Sequence, residues 1–148
     1  MRVSTGFTAA LLLVGAMALA SCTSSDSNVA GMQATLNGAS EVPPTTSTGK
    51  GEAMVNLDKA TKTLSWTVSY SGLTGDATAA HFHGPAAPGA NAGVVVPIGT
   101  GSVPNPAVGS KVLTDAQIAD LLAGKWYVNI HTKANPGGEI RGQVVAKM

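Results

Sequence analysis

The chain has 148 residues, with 9 Lys plus Arg against 8 Asp plus Glu and a formal charge of +1. The length suits one domain, and a near-neutral balance without a basic run argues against nucleic-acid binding, which needs clustered cations. A single Cys excludes an internal disulfide.

Residues 1–21 read as a signal peptide. Arg2 supplies the positive start, and Phe7 to Ala20 is an apolar run shorter than the roughly 20 residues a spanning helix needs. Leu19-Ala20-Ser21-Cys22 resembles a lipobox, the sequence read by lipoprotein signal peptidase. By that resemblance Cys22 becomes the first mature residue, with diacylglycerol on its sulfur and an acyl chain on its nitrogen. Two or three such chains, at about 0.8 kcal/mol per buried CH₂, hold a protein firmly in membrane lipid. The competing reading is an ordinary signal peptide followed by a free thiol. Thr23, not Asp, follows the Cys. By analogy with the sorting rule of two-membrane bacteria, that points to the outer membrane, or otherwise to the cell membrane, facing outside the cytoplasm. Loss of Arg2 leaves 9 − 1 = 8 cations against 8 anions. Residues 22–31, with the polar run Thr23 to Asn28, read as a tether, and residues 32–148 as the folded domain.

Within that domain the dominant period is two. Met32 to Leu36 is a short strand. Ala53, Val55 and Leu57 alternate with polar neighbours, and so do Leu64, Trp66, Val68 and Tyr70, with the polar turn Asp58 to Lys62 between them. This is an antiparallel hairpin with one buried face. Ala77 to His83, Val94 to Ile98, Trp126 to His131 and Glu139 to Ala146 complete about seven strands, punctuated by Gly and Pro. The one break is a short helix opening at Leu113-Thr114-Asp115-Ala116-Gln117-Ile118. Thr114 and Gln117 are spaced as a capping box, and Gly124 stands where a C′ glycine belongs. The expected fold is all-β: an antiparallel sandwich or barrel with one short helix. Its core should hold Val55, Leu57, Trp66, Val68, Val128, Ile130, Ile140 and Val144.

The three His carry the main chemical signal. His81 and His83 form H-x-H within a strand, so both imidazoles leave the same face about 6.6 Å apart at Cα. His131 shares parity with Tyr127 and Asn129, opposite Trp126, Val128 and Ile130, and so leaves the core face. Three neutral imidazoles with an open position suit copper, with zinc as second choice. With no Asp beside H-x-H, a calcium or magnesium site is not indicated. The same His beside Gly84-Pro85 equally fit a structural role, hydrogen-bonded to loop carbonyls. If His131 lies opposite Glu139, then Asn129 pairs with Arg141 and Tyr127 with Gln143. Glu139 then offers itself as a partner orienting a ligand His, or as a rim charge or cross-strand ion pair, and Arg141 as an attractor of anions. No G-x-S-x-G, dinucleotide fingerprint or phosphate loop is present, so no catalytic residue is assigned.

These segments together resemble the chordin-type (CHRD) domain. Leu36-Asn37-Gly38 with Glu41-Val42-Pro43-Pro44 is similar to its opening, Ala80-His81-Phe82-His83-Gly84-Pro85-Ala86 to its centre, and Gly124 to Thr132 followed by Asn135 to Gln143 to its close. The resemblance runs from about Met32 to Val145 and implies an immunoglobulin-like sandwich or barrel found in chordin and in many exported bacterial proteins. Chordin itself binds growth factors of the bone-morphogenetic class, a role that does not transfer to a stand-alone lipoprotein. Ser71-Gly72-Leu73 before the H-x-H strand, with His131, Gly138 and Arg141 later, also resembles the copper side of copper/zinc superoxide dismutases. That family's bridging His, zinc ligands and disulfide have no counterparts in this chain.

Two functions follow: a surface-anchored metal-binding protein using His81, His83 and His131, with a redox enzyme as its variant, or a binding module that holds a protein or glycan through a sheet face or the Pro85 to Gly93 loop. Convergence of the three His to within about 4 Å, as short metal–nitrogen bonds require, separates them.

Overall fold

The computed structural model describes residues 28–148. The expected signal peptide, Cys22 and the expected tether up to Ser27 lie outside them. From Val29 the chain is already strand.

Among the described residues, nine strands form one antiparallel sheet. They are β1 (Val29–Asn37), β2 (Lys50–Asp58), β3 (Thr63–Ser71), β4 (Ala77–His83), β5 (Val94–Thr100), β6 (Ala107–Val112), β7 (Tyr127–Thr132), β8 (Ile140–Gln143) and β9 (Val145–Ala146). The order across the sheet is β5-β4-β7-β8-β1-β2-β3-β6, with β9 added beside β1. The sheet curls until β5 and β6 meet, so the sandwich-or-barrel alternative resolves to a nearly closed barrel.

The alternating sequences dictate the faces. In β2 and β3 every second residue is buried, with Val55 opposite Trp66 and Leu57 opposite Leu64. All eight residues expected in the core are buried. Trp66 packs edge-on against Phe82 at 5.4 Å between ring centroids. Its indole also lies against Gly109 of β6, where a side chain would collide with the ring. Burial of these aliphatic and aromatic groups, about 1.5–3 kcal/mol for each large side chain, supplies most of the driving force.

One strand was not foreseen. β6 pairs fully with β3, but its outward Val108 and Val112 and its internal glycine blur the two-residue alternation. The expected strand Glu139 to Ala146 divides into β8 and the two-residue β9, which pairs with β1. The helix α1 (Asp115–Leu122) forms as its sequence requires. The Thr114 hydroxyl accepts from Gln117 N–H, the Gln117 side chain accepts from Thr114 N–H, and Gly124 follows at φ 70°. Leu121 is its buried residue, and Ile118 packs partly against the core.

What positions the site is that β4 pairs with β7, not with its sequence neighbour β3. Ala79 faces His131, His81 faces Asn129, and His83 faces Tyr127. On the other side of β7, Asn129 faces Arg141 and Tyr127 faces Gln143, the expected register. The outer face of these three strands is not open to water in the usual way, since Tyr127, Asn129 and Arg141 are all buried there.

Candidate metal centre

The period of two in β4 sends Phe82 inward and His81 and His83 outward. The same parity in β7 sends Ile130 inward and His131 outward, onto the face it shares with the H-x-H pair. The three half-buried imidazoles offer nitrogens that all lie within 4.8 Å of one another. This is slightly wider than the roughly 4 Å that sequence reasoning set for convergence. His81 Nδ1 and His131 Nε2 are 3.2 Å apart, close to the roughly 3.3–3.4 Å between nitrogens bound tetrahedrally at about 2.0–2.1 Å. Ring centroids are 5.0 Å apart for His81–His131, 5.5 Å for His81–His83 and 6.2 Å for His83–His131.

Two backbone carbonyls set which nitrogens are free. His83 Nδ1 lies 3.0 Å from Ala92 O, and His131 Nδ1 lies 2.9 Å from Pro136 O. A carbonyl only accepts, so each Nδ1 carries the proton and each Nε2 carries a lone pair. His83 Nε2 is buried with no partner. His81 therefore donates from Nδ1 to His131 Nε2 when no ion is bound. It presents the Nδ1 lone pair after a change of tautomer. Burial, followed by the neighbouring His131 and His83, holds His81 below the usual imidazole range. Burial also lowers His83, against the pull of its bond to Ala92, with His131 and Arg141 adding to the lowering. Both rings are thus kept neutral, the form that binds metal. The loop carbonyls engage Nδ1 of His83 and of His131 and leave each Nε2 free of the backbone, an arrangement compatible with the structural role and with a metal site alike.

Glu139 is not where a partner of the His would stand. The residue precedes β8 and its carboxylate turns away, fully buried. It accepts from the hydroxyls of Ser47 (2.6 Å), Thr74 (2.7 Å) and Thr132 (2.6 Å), from Thr74 N–H (2.8 Å) and from Asn135 Nδ2 (3.2 Å). Burial by itself raises its pKa, but the bonds from Ser47, Thr132 and Thr74 prevail and bring it from 4.5 down to about 2. It is neither a rim charge nor half of an ion pair. It ties together the segment before β2, the β3–β4 connection, the end of β7 and the β7–β8 turn, and that turn supplies Pro136 O to His131.

Arg141 is also placed differently from the expected anion attractor. It is 2% exposed, with its guanidinium 3.4 Å from the centre of the Tyr127 ring. Its nitrogens donate to Asn91 Oδ1 at 2.9 Å and Ala90 O at 2.5 Å. Tyr127, in the strand between β4 and β8, separates it from His83, whose ring stacks on Tyr127 at 4.9 Å and 3°.

Sequence reasoning gave no role to Tyr127, Asn129 or Glu41. Glu41 is 6% exposed and accepts from Asn129 Nδ2 at 2.6 Å. Burial raises its pKa from 4.5 to about 7, against the lowering effects of Arg141, Val42 N–H and Asn129. Gly138 makes room for this pair: at φ 131°, a Cβ there would strike Asn129 Nδ2 and both Glu41 oxygens. Parity alone put Tyr127 and Asn129 on the His face. The carbonyls of Ala92 and Pro136 carry no side-chain signal.

The family model described as the CHRD domain matches residues 32–144, from β1 to the residue after β8. No curated protein matches the chain, and no solved structure does.

Proposed function

From the premise that the chain belongs to the CHRD-domain family, we propose that it is an exported lipoprotein, anchored by acylated Cys22, that holds one transition-metal ion between His81, His83 and His131. The fold alone names no activity. The observation that carries the metal reading is the convergence of three imidazoles, two of them locked by loop carbonyls with Nε2 inward. The ligand set is His81 Nδ1, His83 Nε2 and His131 Nε2. Three neutral nitrogens with a fourth position open fit copper first, since copper(II) heads the affinity order for such sites, and zinc second. No carboxylate reaches the cluster among the described residues, which disfavours hard cations. Storage, buffering or relay of the ion at the cell envelope follows from a half-buried site on a lipid-held domain, in the outer membrane where there is one. The lipobox-like Leu19-Ala20-Ser21-Cys22 supports the anchor.

Copper and zinc titrations of the full chain test the ion, with wild type beside His83→Ala and His131→Ala. Tight wild-type binding lost in both variants supports the site. Equal binding in all three overturns it. Lipid labelling and membrane fractionation of Cys22→Ala test the anchor, and retention of a cleaved Cys22→Ala protein in the membrane overturns that part.

A further inference from the structure

Between β4 and β5 the chain runs through Gly84 to Gly93, a stretch of Gly, Pro, Ala and one Asn with little to bury. Only Ala86 of its side chains is buried. Loops of such composition are ordinarily loose, yet this one carries the carbonyl that sets His83. What holds it is polar. Gly84 N–H donates to Gly93 O at 3.2 Å and closes its base. Gln143 Nε2 donates to Ala86 O at 3.0 Å. Arg141 grips Ala90 O and Asn91 Oδ1. The Tyr127 hydroxyl accepts from Ala92 N–H at 3.1 Å and lies 3.3 Å from Ala92 O. Asn91 Nδ2 reaches on to Val42 O at 3.1 Å.

Arg141 is buried without forming a direct ion pair among the described residues. A buried cation is expensive unless its donors are used, and two of the acceptors that use them lie in this loop. Its third contact is the Tyr127 ring, which touches His83 through stacking and the Ala92 peptide through its hydroxyl. Three successive loop residues, Ala90, Asn91 and Ala92, are thus tied to one Arg–Tyr pair, and the last of them is bonded to His83 Nδ1.

We propose that Arg141 and Tyr127 are positioning residues that clamp the Ala90–Ala92 segment and thereby fix His83 in its Nδ1–H tautomer, with Nε2 directed at His81 and His131. Neither side chain contacts the ion. The clamp acts on one ligand only, because His131 takes its tautomer from Pro136 in a different turn. The proposal rests on the metal reading for its purpose, but not for its test.

That test is the tautomeric state of each imidazole in the metal-free full chain, read by long-range ¹H–¹⁵N correlation NMR, in wild type, Tyr127→Phe, Arg141→Lys and Asn91→Ala. Tyr127→Phe keeps the stack and loses the hydroxyl. Arg141→Lys keeps the charge and loses the fork. Asn91 is exposed, so Asn91→Ala leaves the core untouched and keeps the test alive if a buried variant fails to fold. The expected result is a single Nδ1–H form of His83 in wild type and a mixture in the variants, with His131 unchanged. Copper affinity should fall about 10–100-fold alongside, the usual effect of removing a support behind a metal ligand. A His83 that keeps one tautomer in every variant, or a His131 that changes equally, overturns the clamp. A wild type that shows the clamp but binds neither copper nor zinc overturns the metal reading and leaves the clamp standing.

Discussion

His81 Nδ1 sits 3.2 Å from His131 Nε2, although fifty residues separate them in the chain. Two nitrogens this close have either one proton or one ion between them. With Nδ1 of His131 already donating to Pro136 O, the proton belongs to His81. An ion that enters must displace it.

Metal binding should therefore shift the His81 proton from Nδ1 to Nε2, and should weaken in acid, where protons compete for the same lone pairs. The folded-state pKa values of His81 and His83 lie below the 6.5 of an unperturbed imidazole. Their protonation competes only as pH falls beneath 6.5, so affinity should hold at pH 7 and drop on further acidification. Isothermal titration across that range checks this. A flat profile from pH 7 down to 4 would mean that the imidazoles are not the ligands.

Trp66→Ala should lower stability by about 3–5 kcal/mol, the range for a deleted buried aromatic. The indole fills the space between Phe82 and Gly109, and neither neighbour can expand to replace it. Denaturant unfolding measures the loss. A change below about 1 kcal/mol would show that the barrel closes without this contact.

Glu139→Gln should cost about 3 kcal/mol at pH 7, the equivalent of the fall in pKa from 4.5 to about 2. The native carboxylate binds protons less readily than the unfolded one. Its contribution is present above pH 4.5 and disappears as pH falls from 4.5 towards 2. Unfolding curves of the two proteins should therefore converge between pH 4.5 and 2. A gap of constant size would assign the loss to shape rather than charge.

Glu41 should behave with the opposite sign. Its native pKa of about 7 exceeds the unfolded 4.5, so the native state holds the proton more tightly and loses stability as pH rises from 4.5 to 7. Glu41→Gln should be the more stable protein at pH 8, by an amount on the order of 3 kcal/mol relative to its standing at pH 4.5. Melting temperatures of both proteins at the two pH values decide it, and identical pH trends would refute it.

The sequence by itself determined the direction in which most side chains point. A strand turns its residues over with a period of two, so Phe82 and Ile130 inward already meant His81, His83 and His131 outward. The closing hairpin, with only a turn between its strands, carried its own register: Asn129 opposite Arg141 and Tyr127 opposite Gln143. Local rules of the same kind placed Thr114 and Gln117 at the helix start. Only the tertiary structure decided which strands became neighbours. The pairing of β4 with β7 is non-local, and it alone brings His131 to the H-x-H pair. Tertiary packing also decided what covers that face. Glu139 stands just before β8, where strand parity does not bind it, and three donors from distant loops (Ser47 and two on Thr74), with Thr132 and Asn135 of its own hairpin, draw its carboxylate inward. Arg141 obeys parity and still escapes the role its position suggested. The Gly84–Gly93 loop folds over it, and a buried guanidinium uses its donors on the nearest carbonyls instead of presenting them to solvent. Backbone acceptors such as Ala92 O and Pro136 O are identical in every residue, so no sequence pattern could mark them as the groups that orient two of the three His.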